Sequence, residues 1–411
     1  MQLVLSFEND ALYRAAVDRL AGMGAVIVRS SDLFHTVTVQ VPENLVGTVS
    51  SFAGLLNAVR DVPVRPACCD LGVAGQPGFL PTGEAAKGLS WDRFTVLEPA
   101  AIDFMRVPPG LTGNCVKVAV LDTGIDHNHP ALRGQVVRKV CISDGDPEDA
   151  VGHGTHVAGT IAGLPVDSPL GAWHGVAPGA RLININVLDS EGNGRISDVI
   201  AGLEAAYNAG AQLANLSLGS PLDFLNDPVA RAAEILAREG VLVVAAAGNS
   251  GPLPFSIGTP GSVGAVVTVG AASVPIDGYI TGGETAEFSS RGPVLRSGYK
   301  PDIVAPGGAG GPMQRPELIY GPTTGIVDAM IDGEVDEWGP LRGSSMATPH
   351  VTGLLALLLE RYRFTRADLD VALAQSARHG GAFRDFNQGY GFIDGVMLAQ
   401  YFEQRRMYHA S

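Results

Sequence analysis

The chain has 411 residues, with 42 acidic and 28 basic side chains and a formal charge of −14 at pH 7. Hydrophobic residues make up 46% and charged residues 17%, with 53 Gly and 27 Pro, which provides for a large core cut by tight turns and excludes disorder, collagen and coiled coil. No Lys/Arg cluster is present to neutralise phosphates, so nucleic acid is excluded as a partner, and no apolar stretch approaches the ~18–20 residues that cross a bilayer.

The segment Met1 to Asp10 has no basic n-region and meets Glu8 early, so it is not a secretory signal. Cytoplasmic location is the expectation if Met1 is the true start, with secretion by a route lacking a classical signal left open. Cys68, Cys69, Cys115 and Cys141 form no CxxC pattern, and the adjacent Cys68 and Cys69 read as two unpaired thiols in a loop.

Residues 1–66 read as a separate small unit. Gln2 to Phe7 is expected as a strand. Ala11 to Leu20 is expected as a helix on the spacing of Leu12, Ala15, Ala16 and Leu20, capped by Asn9 or Asp10. Ala25 to Val28 is expected as a buried strand and Thr36 to Val41 as a half-buried one. Leu45 to Leu56 suits a helix and Asn57 to Val64 a last strand. The order β-α-β-β-α-β is that of a ferredoxin-like α+β domain, a fold that hosts many functions.

Residues 67–88, with five Gly and two Pro, have a linker composition. From residue 89 to 411 strands alternate with helices. Apolar runs at Val116–Leu121, Leu182–Val187, Leu213–Leu218, Val241–Ala246 and Val266–Val269 flank helical patterns at Thr155–Ala162, Ile196–Ala209 and Pro228–Arg238. That alternation predicts an α/β domain whose mostly parallel sheet is covered on both faces.

Three segments lie where such a sheet places functional groups, past strand ends and at helix starts. Asp122 closes the run Val118-Ala119-Val120-Leu121, and could orient a histidine, bind a ribose hydroxyl or cap a turn. His153, in Gly152-His153-Gly154-Thr155-His156, opens a helix; His153 and His156 are three apart, as a metal pair would be, but no Glu completes H-E-x-x-H. Gly343-Ser344-Ser345 opens the apolar helix Val351–Leu359, where either serine suits an N-cap. A nucleophile there would gain from the helix N-terminus, which favours a developing oxyanion. Pro349 is expected in the first turn, where its missing N–H does no harm.

Together the order Asp…His…Ser is one known solution to serine hydrolysis. On Asp122-Thr123-Gly124, on His153-Gly154-Thr155-His156-Val157-Ala158-Gly159-Thr160 and on Gly343-Ser344-Ser345-Met346-Ala347-Thr348-Pro349-His350, the chain resembles the subtilisin-like serine proteases. The resemblance covers about residues 89–400. It implies a three-layer α/β fold with Ser345 as nucleophile, His153 as general base and acid, and Asp122 orienting the imidazole. Asn249 is implied as oxyanion donor beside the Ser345 N–H. The substrate, an extended polypeptide, would lie between Ser217-Leu218-Gly219 and Gly192-Asn193-Gly194. Gly258 would floor a primary pocket for a large apolar side chain, with Asp223 and Asp227 as the argument for a basic one.

The resemblance implies no cofactor or metal for the chemistry. Structural calcium is an option of the family, but Ala131 stands where relatives carry a ligating Asp, and Leu164–Trp173 does not match the usual loop. A different site could use Asp144, Asp146, Glu148 or Asp149, which read more simply as a solvated loop. The longer segment Gly307–Leu341, acidic at Asp328, Asp332, Glu334, Asp336 and Glu337, would border the cleft or dock a partner.

The N-terminal unit resembles the family's inhibitor-type propeptide, which implies an intramolecular inhibitor whose tail lies in the groove and a processing bond between Pro66 and Leu89. The competing readings are a permanently attached accessory domain, a protease dedicated to one leader peptide or partner, and a binding pseudoprotease.

Overall fold

The computed structural model describes residues 1–67, 95–143, 148–220, 227–276, 282–309, 317–324, 337–378 and 384–409, with side chains of the last helix described to residue 405. The N-terminal unit is an antiparallel sheet of β1 (Gln2–Phe7), β2 (Val26–Ser31), β3 (Thr36–Gln40) and β4 (Leu55–Arg60) in the order β2-β3-β1-β4. Helix α1 (Asp10–Gly22) starts where the Asn9 side chain accepts the Leu12 N–H, and it packs Tyr13, Ala16 and Leu20 onto Leu5, Phe7, Val37 and Val39.

Three expectations for this unit need correction. β2 is an edge strand that turns Val26 and Val28 to solvent, 59% and 43% exposed, so it is not buried. The second helix shrinks to α2 (Val46–Val49): after Ser50 the chain goes on in i→i+3 turns, and Gly54 turns it at φ +69° into β4. The last strand stops at Arg60, and Pro63–Pro66 leaves the sheet as a separate strand, β5; prolines at both its ends cannot donate to a central ladder.

The chain continues through β6 (Thr95–Leu97), α3 (Glu98–Phe104), β7 (Lys117–Asp122), β8 (Val136–Cys141) and α4 (His153–Ala162). Next come the hairpin β9 (Val166–Ser168) and β10 (Gly171–Trp173), then β11 (Arg181–Asn186), β12 (Gly194–Arg195), α5 (Ile196–Asn208), β13 (Leu213–Leu216), β14 (Leu218–Gly219) and α6 (Pro228–Arg238). The remainder is β15 (Leu242–Ala246), β16 (Val267–Ala272), β17 (Ile303–Pro306), β18 (Leu318–Pro322), β19 (Trp338–Leu341), α7 (Ser344–Arg361), α8 (Arg366–Ser376) and α9 (Gly395–His409).

Seven strands form one sheet in the order β17-β16-β15-β13-β7-β11-β8, and every neighbouring pair is parallel. Alternation along β7 sends Val118 and Val120 to a core shared with α4 and α7, and Ala119 and Leu121 to a second core shared with α5 and α6. Apart from the largely exposed edge strand β8, the sheet is thus buried on both faces, and its polar groups gather at the carboxyl ends of the strands. Among the described residues no helix is long and apolar enough to cross a membrane.

The segment after β17 adds β18 and β19, which form a small sheet with β6. Residues 310–316 and 325–336, including Asp328, Asp332, Glu334 and Asp336, lie outside the described residues. Glu317, just before β18, is fully buried; Oε1 accepts the Val274 N–H at 2.6 Å, and Oε2 has no hydrogen-bond partner among the described residues. Burial pushes its carboxyl up to about 8, so the native chain keeps a proton that the unfolded chain releases near 4.5. The unfolded state therefore binds fewer protons between those two values, and this group's contribution to stability is lost as pH rises from about 4.5 to about 8. Glu317→Gln is expected to be neutral at pH 4 and stabilising by ~1–3 kcal/mol at pH 8.5, read from urea midpoints. Destabilisation at pH 8.5 would mean that the acid is ionised and paired in the native state.

Candidate active site

β7 delivers Asp122 to the carboxyl edge of the sheet, where its Oδ1 lies 2.7 Å from His153 Nδ1 and also accepts the Thr123 N–H at 2.8 Å. Both side chains are buried. His153 is the first residue of α4, and the approach is possible because its neighbours are glycines. Gly152 turns the chain at φ +96°, and a Cβ on Gly154 would run into the Gly124 carbonyl. His156 does not share a ligand position with His153. Its Nε2 donates to the Ile319 carbonyl at 3.1 Å, and burial lowers its pKa to about 3, leaving a neutral imidazole.

Ser345 sits at the N-terminus of α7. Its Oγ donates to the Ser217 carbonyl at 2.8 Å, while His153 Nε2 has no hydrogen-bond partner among the described residues. Pro349 falls in the second turn of α7 rather than the first, so the Ser345 carbonyl loses its helical i+4 partner. The Ser217 hydroxyl fills that gap at 2.9 Å and is held in turn by Asn215 Nδ2 at 3.0 Å. Thr352 Oγ1 donates to Asn215 Oδ1 at 2.7 Å, closing a buried chain behind Ser345.

Asn249 follows β15. Its Oδ1 accepts the Ser344 N–H at 2.9 Å and the Ser344 hydroxyl at 3.0 Å, and Ser344 Oγ accepts the Gly248 N–H at 3.0 Å. This clamp turns Asn249 Nδ2 outward. Its target is the Ala67 carbonyl oxygen, at 2.6 Å, which also accepts the Ser345 N–H at 3.1 Å. The Ala67 N–H donates to the Ser217 carbonyl at 2.9 Å. Upstream of Ala67, β5 lies between two strands of the larger domain. Pro66 pairs with Leu218 and Arg65 with Gly219 on one side, and Val64 pairs with Gly194 and Pro63 with Arg195 on the other, all antiparallel.

Of the expected binding residues, Ser217, Leu218, Gly219 and Gly194 therefore touch the tail. Gly192 stands near the Pro66 ring, whereas the Asn193 backbone closes a turn with Asp189 and stays out of the ladder. Gly258 accepts the Ser262 N–H, and no described contact joins it to the tail. Asp227 is the N-cap of α6, accepting the Val229 and Ala230 N–H groups, so it is not free to select a basic side chain. Asp223, Asp144 and Asp146 lie outside the described residues.

Ala131, at the position of the family's calcium-ligating Asp, puts a methyl group into an aromatic cluster with Trp173, Tyr320 and Trp338, and Leu164–Trp173 runs into the β9–β10 hairpin. Those side chains do not fit a calcium ion, which takes oxygen ligands. Glu148 pairs with Lys139 at 2.6 Å and with His127 at 3.0 Å. Asp149 is not a solvated loop acid: it is buried and accepts hydrogen bonds from Thr123, Val151, Gly152 and Thr155. Its position four residues before His153, with a glycine as the helix N-cap, was the signal that marks it.

The profile of the subtilase family, Peptidase_S8, matches residues 113–391. The chain is 36% identical over 277 residues to the serine protease AprX of Bacillus subtilis (strain 168), covering 64% of this chain and 60% of that protein. It is 38% identical over 276 residues to Subtilisin BL of Lederbergia lenta, covering 67% and 86%. Among solved structures it resembles fervidolysin from Fervidobacterium pennivorans, a keratinolytic enzyme related to subtilisin, with a TM-score of 0.72 over 97% of this chain and 60% of that one, at 23% identity. The chain thus spans about 60% of the length of AprX and of fervidolysin. The likeness to fervidolysin speaks to the fold alone.

Proposed function

From its membership of the subtilase family of serine proteases, to which this chain belongs, we propose that it is a serine endopeptidase made as a self-processing zymogen. Asp122, His153 and Ser345 carry the chemistry, and residues 1–67 are the intramolecular inhibitor. The observation that carries this reading is the Ala67 carbonyl, held by Asn249 Nδ2 and the Ser345 N–H beside the Asp122–His153 pair.

In the reaction the Ser345 hydroxyl turns from the Ser217 carbonyl toward His153 Nε2, gives up its proton there and attacks the substrate carbonyl carbon. Asp122 keeps the proton of the imidazole on Nδ1 and balances the imidazolium. The carbonyl oxygen becomes an anion between Asn249 Nδ2 and the Ser345 N–H, two donors already aimed before reaction begins. Collapse breaks the C–N bond as His153 returns the proton to the leaving amine, and water then releases the acyl group from Ser345 by the same steps.

The zymogen's own bond is Ala67–Cys68. Ala67 then occupies the first position before the scissile bond, Pro66 the second, Arg65 the third and Val64 the fourth, with Val64 buried in the same apolar cluster as Ile196 and Leu218. The N-terminal unit is anchored well enough to inhibit after cleavage. Asp61 accepts the Ser197 N–H at 3.0 Å and the Ser197 hydroxyl at 2.7 Å at the start of α5. Arg29 pairs with Asp198 at 3.0 Å, and Arg231 donates to the Phe7 carbonyl at 3.0 Å.

A fluorophosphonate probe tests the reading. Processed protein is expected to take one adduct, on Ser345. A folded, processed protein freed of residues 1–67 that takes none would overturn it.

A further inference from the structure

Asp149 belongs to no step above, yet it joins the two segments that carry Asp122 and His153. Its Oδ1 accepts from Thr123 Oγ1 at 2.9 Å, Val151 N at 3.0 Å and Gly152 N at 2.8 Å. Its Oδ2 accepts from Thr155 N at 2.8 Å and Thr155 Oγ1 at 2.7 Å. Thr123 Oγ1 accepts the Gly154 N–H at 2.9 Å, so one carboxylate ties the residue after Asp122 to the first turn of α4 on both sides of His153. Burial pushes the Asp149 carboxyl up, and the hydrogen bonds from Gly152, Thr155 and Thr123 pull it back toward the anion; three backbone N–H groups, which can only donate, are aimed at its two oxygens and favour the charged form.

The charge has a task at this place. Gly152, the N-cap of α4, has no side chain to offer, and Asp149 caps the helix from outside it. His153 is the first residue of α4, where the positive end of the helix opposes the imidazolium that forms when Ser345 releases its proton. The ionisable groups next to this imidazole are Asp122 from β7 and the neutral His156 on α4; on the far side of His156 is His350 on α7, whose Nε2 lies 3.0 Å from Glu98 Oε1 of α3.

We propose that Asp149 is a positioning residue of the reaction: through Thr123 and the first turn of α4 it fixes His153 against Asp122, and its negative charge offsets the helix end for the imidazolium. The proposal rests on the protease reading above. Two variants separate its halves. Asp149→Asn removes the charge, whereas Thr123→Val keeps the charge and cuts the tie to the Asp122 loop.

In processed enzyme, Asp149→Asn is expected to lose kcat on the order of ten-fold with KM little changed, and to move the acidic limb of kcat/KM about half a pH unit lower. Removing a nearby anion disfavours the imidazolium, hence the direction. Thr123→Val is expected to lose kcat to a similar degree with the limb in place. An Asp149→Asn enzyme with wild-type kcat and limb overturns the proposal, as does a kcat loss with no limb shift that follows the melting temperature alone. Should Asp149→Asn not fold, Thr123→Val decides, and undiminished kcat in it overturns the tie. Wild type that does not label with fluorophosphonate would instead be a failure of the protease reading.

Discussion

Ser345→Ala is expected to remain at its full 411 residues, while the wild type loses its first 67 and begins at Cys68. The expectation follows from where the tail already lies. β5 is paired on both sides, and the Ala67 carbonyl meets both donors proposed for the tetrahedral oxygen, Asn249 Nδ2 and the Ser345 backbone N–H. Holding the reacting groups in one chain makes the first cleavage unimolecular, so substrate concentration sets no limit on it. Removing the hydroxyl takes away the only atom that can form the acyl bond. Toward peptide substrates the loss in kcat is expected to be about 10⁶-fold, the size known for the same change in subtilisin. Intact mass and N-terminal sequencing read both results. A new terminus other than Cys68 would move the bond, and a full-length wild type that still takes fluorophosphonate would keep the enzyme and sink self-processing.

The second large effect is expected at Asn249. Asn249→Ala removes one of two donors to the developing oxyanion, and kcat should fall about 10²–10³-fold with KM nearly unchanged, a magnitude established in subtilisin for the corresponding donor. The side chain is pre-aimed, because Ser344 holds its Oδ1 with both an N–H and a hydroxyl, so the amide cannot flip without breaking two bonds. Replacement leaves the Ser344 hydroxyl without that acceptor, but the Gly248 N–H still reaches it. The amide already meets a neutral carbonyl at 2.6 Å, and in the proposed role that hydrogen bond strengthens as the oxygen takes on charge, so kcat should register the change far more than KM. Steady-state kinetics on processed enzyme decide the matter. A variant whose KM rises while kcat holds would make Asn249 a contact that serves binding alone.

Some of this was open to reading in the chain alone. The helix at Pro228–Arg238 is where its apolar spacing and N-terminal Pro put it, and the apolar runs are the parallel strands of the large sheet. Each of Asp122, His153 and Ser345 stands at a strand end or helix start beside glycines, which is a local signal. Local signals misled where partners are distant in sequence. Asp149 shares its loop with Asp144, Asp146 and Glu148 and looks like them, but its hydrogen bonds to Thr123 and Thr155 bury it. Pro349 looked harmless because it was read into the first turn; the carbonyl it leaves without a partner is that of Ser345, and the Ser217 hydroxyl that fills the gap is 128 residues from Ser345. Asp227 looked like a selector of basic substrates and is a helix cap.

By itself, then, the sequence determined the order of strands and helices, the subtilase motifs and the residue types that serine chemistry requires, since periodicity, glycines and caps act within a few residues. Only the tertiary structure decided that β5 leaves its own sheet to lie between β12 and β14, and that the Ala67 carbonyl meets Asn249 and Ser345. Pairings between segments 130 or more residues apart depend on the geometry of two packed domains, which no local pattern in the chain encodes.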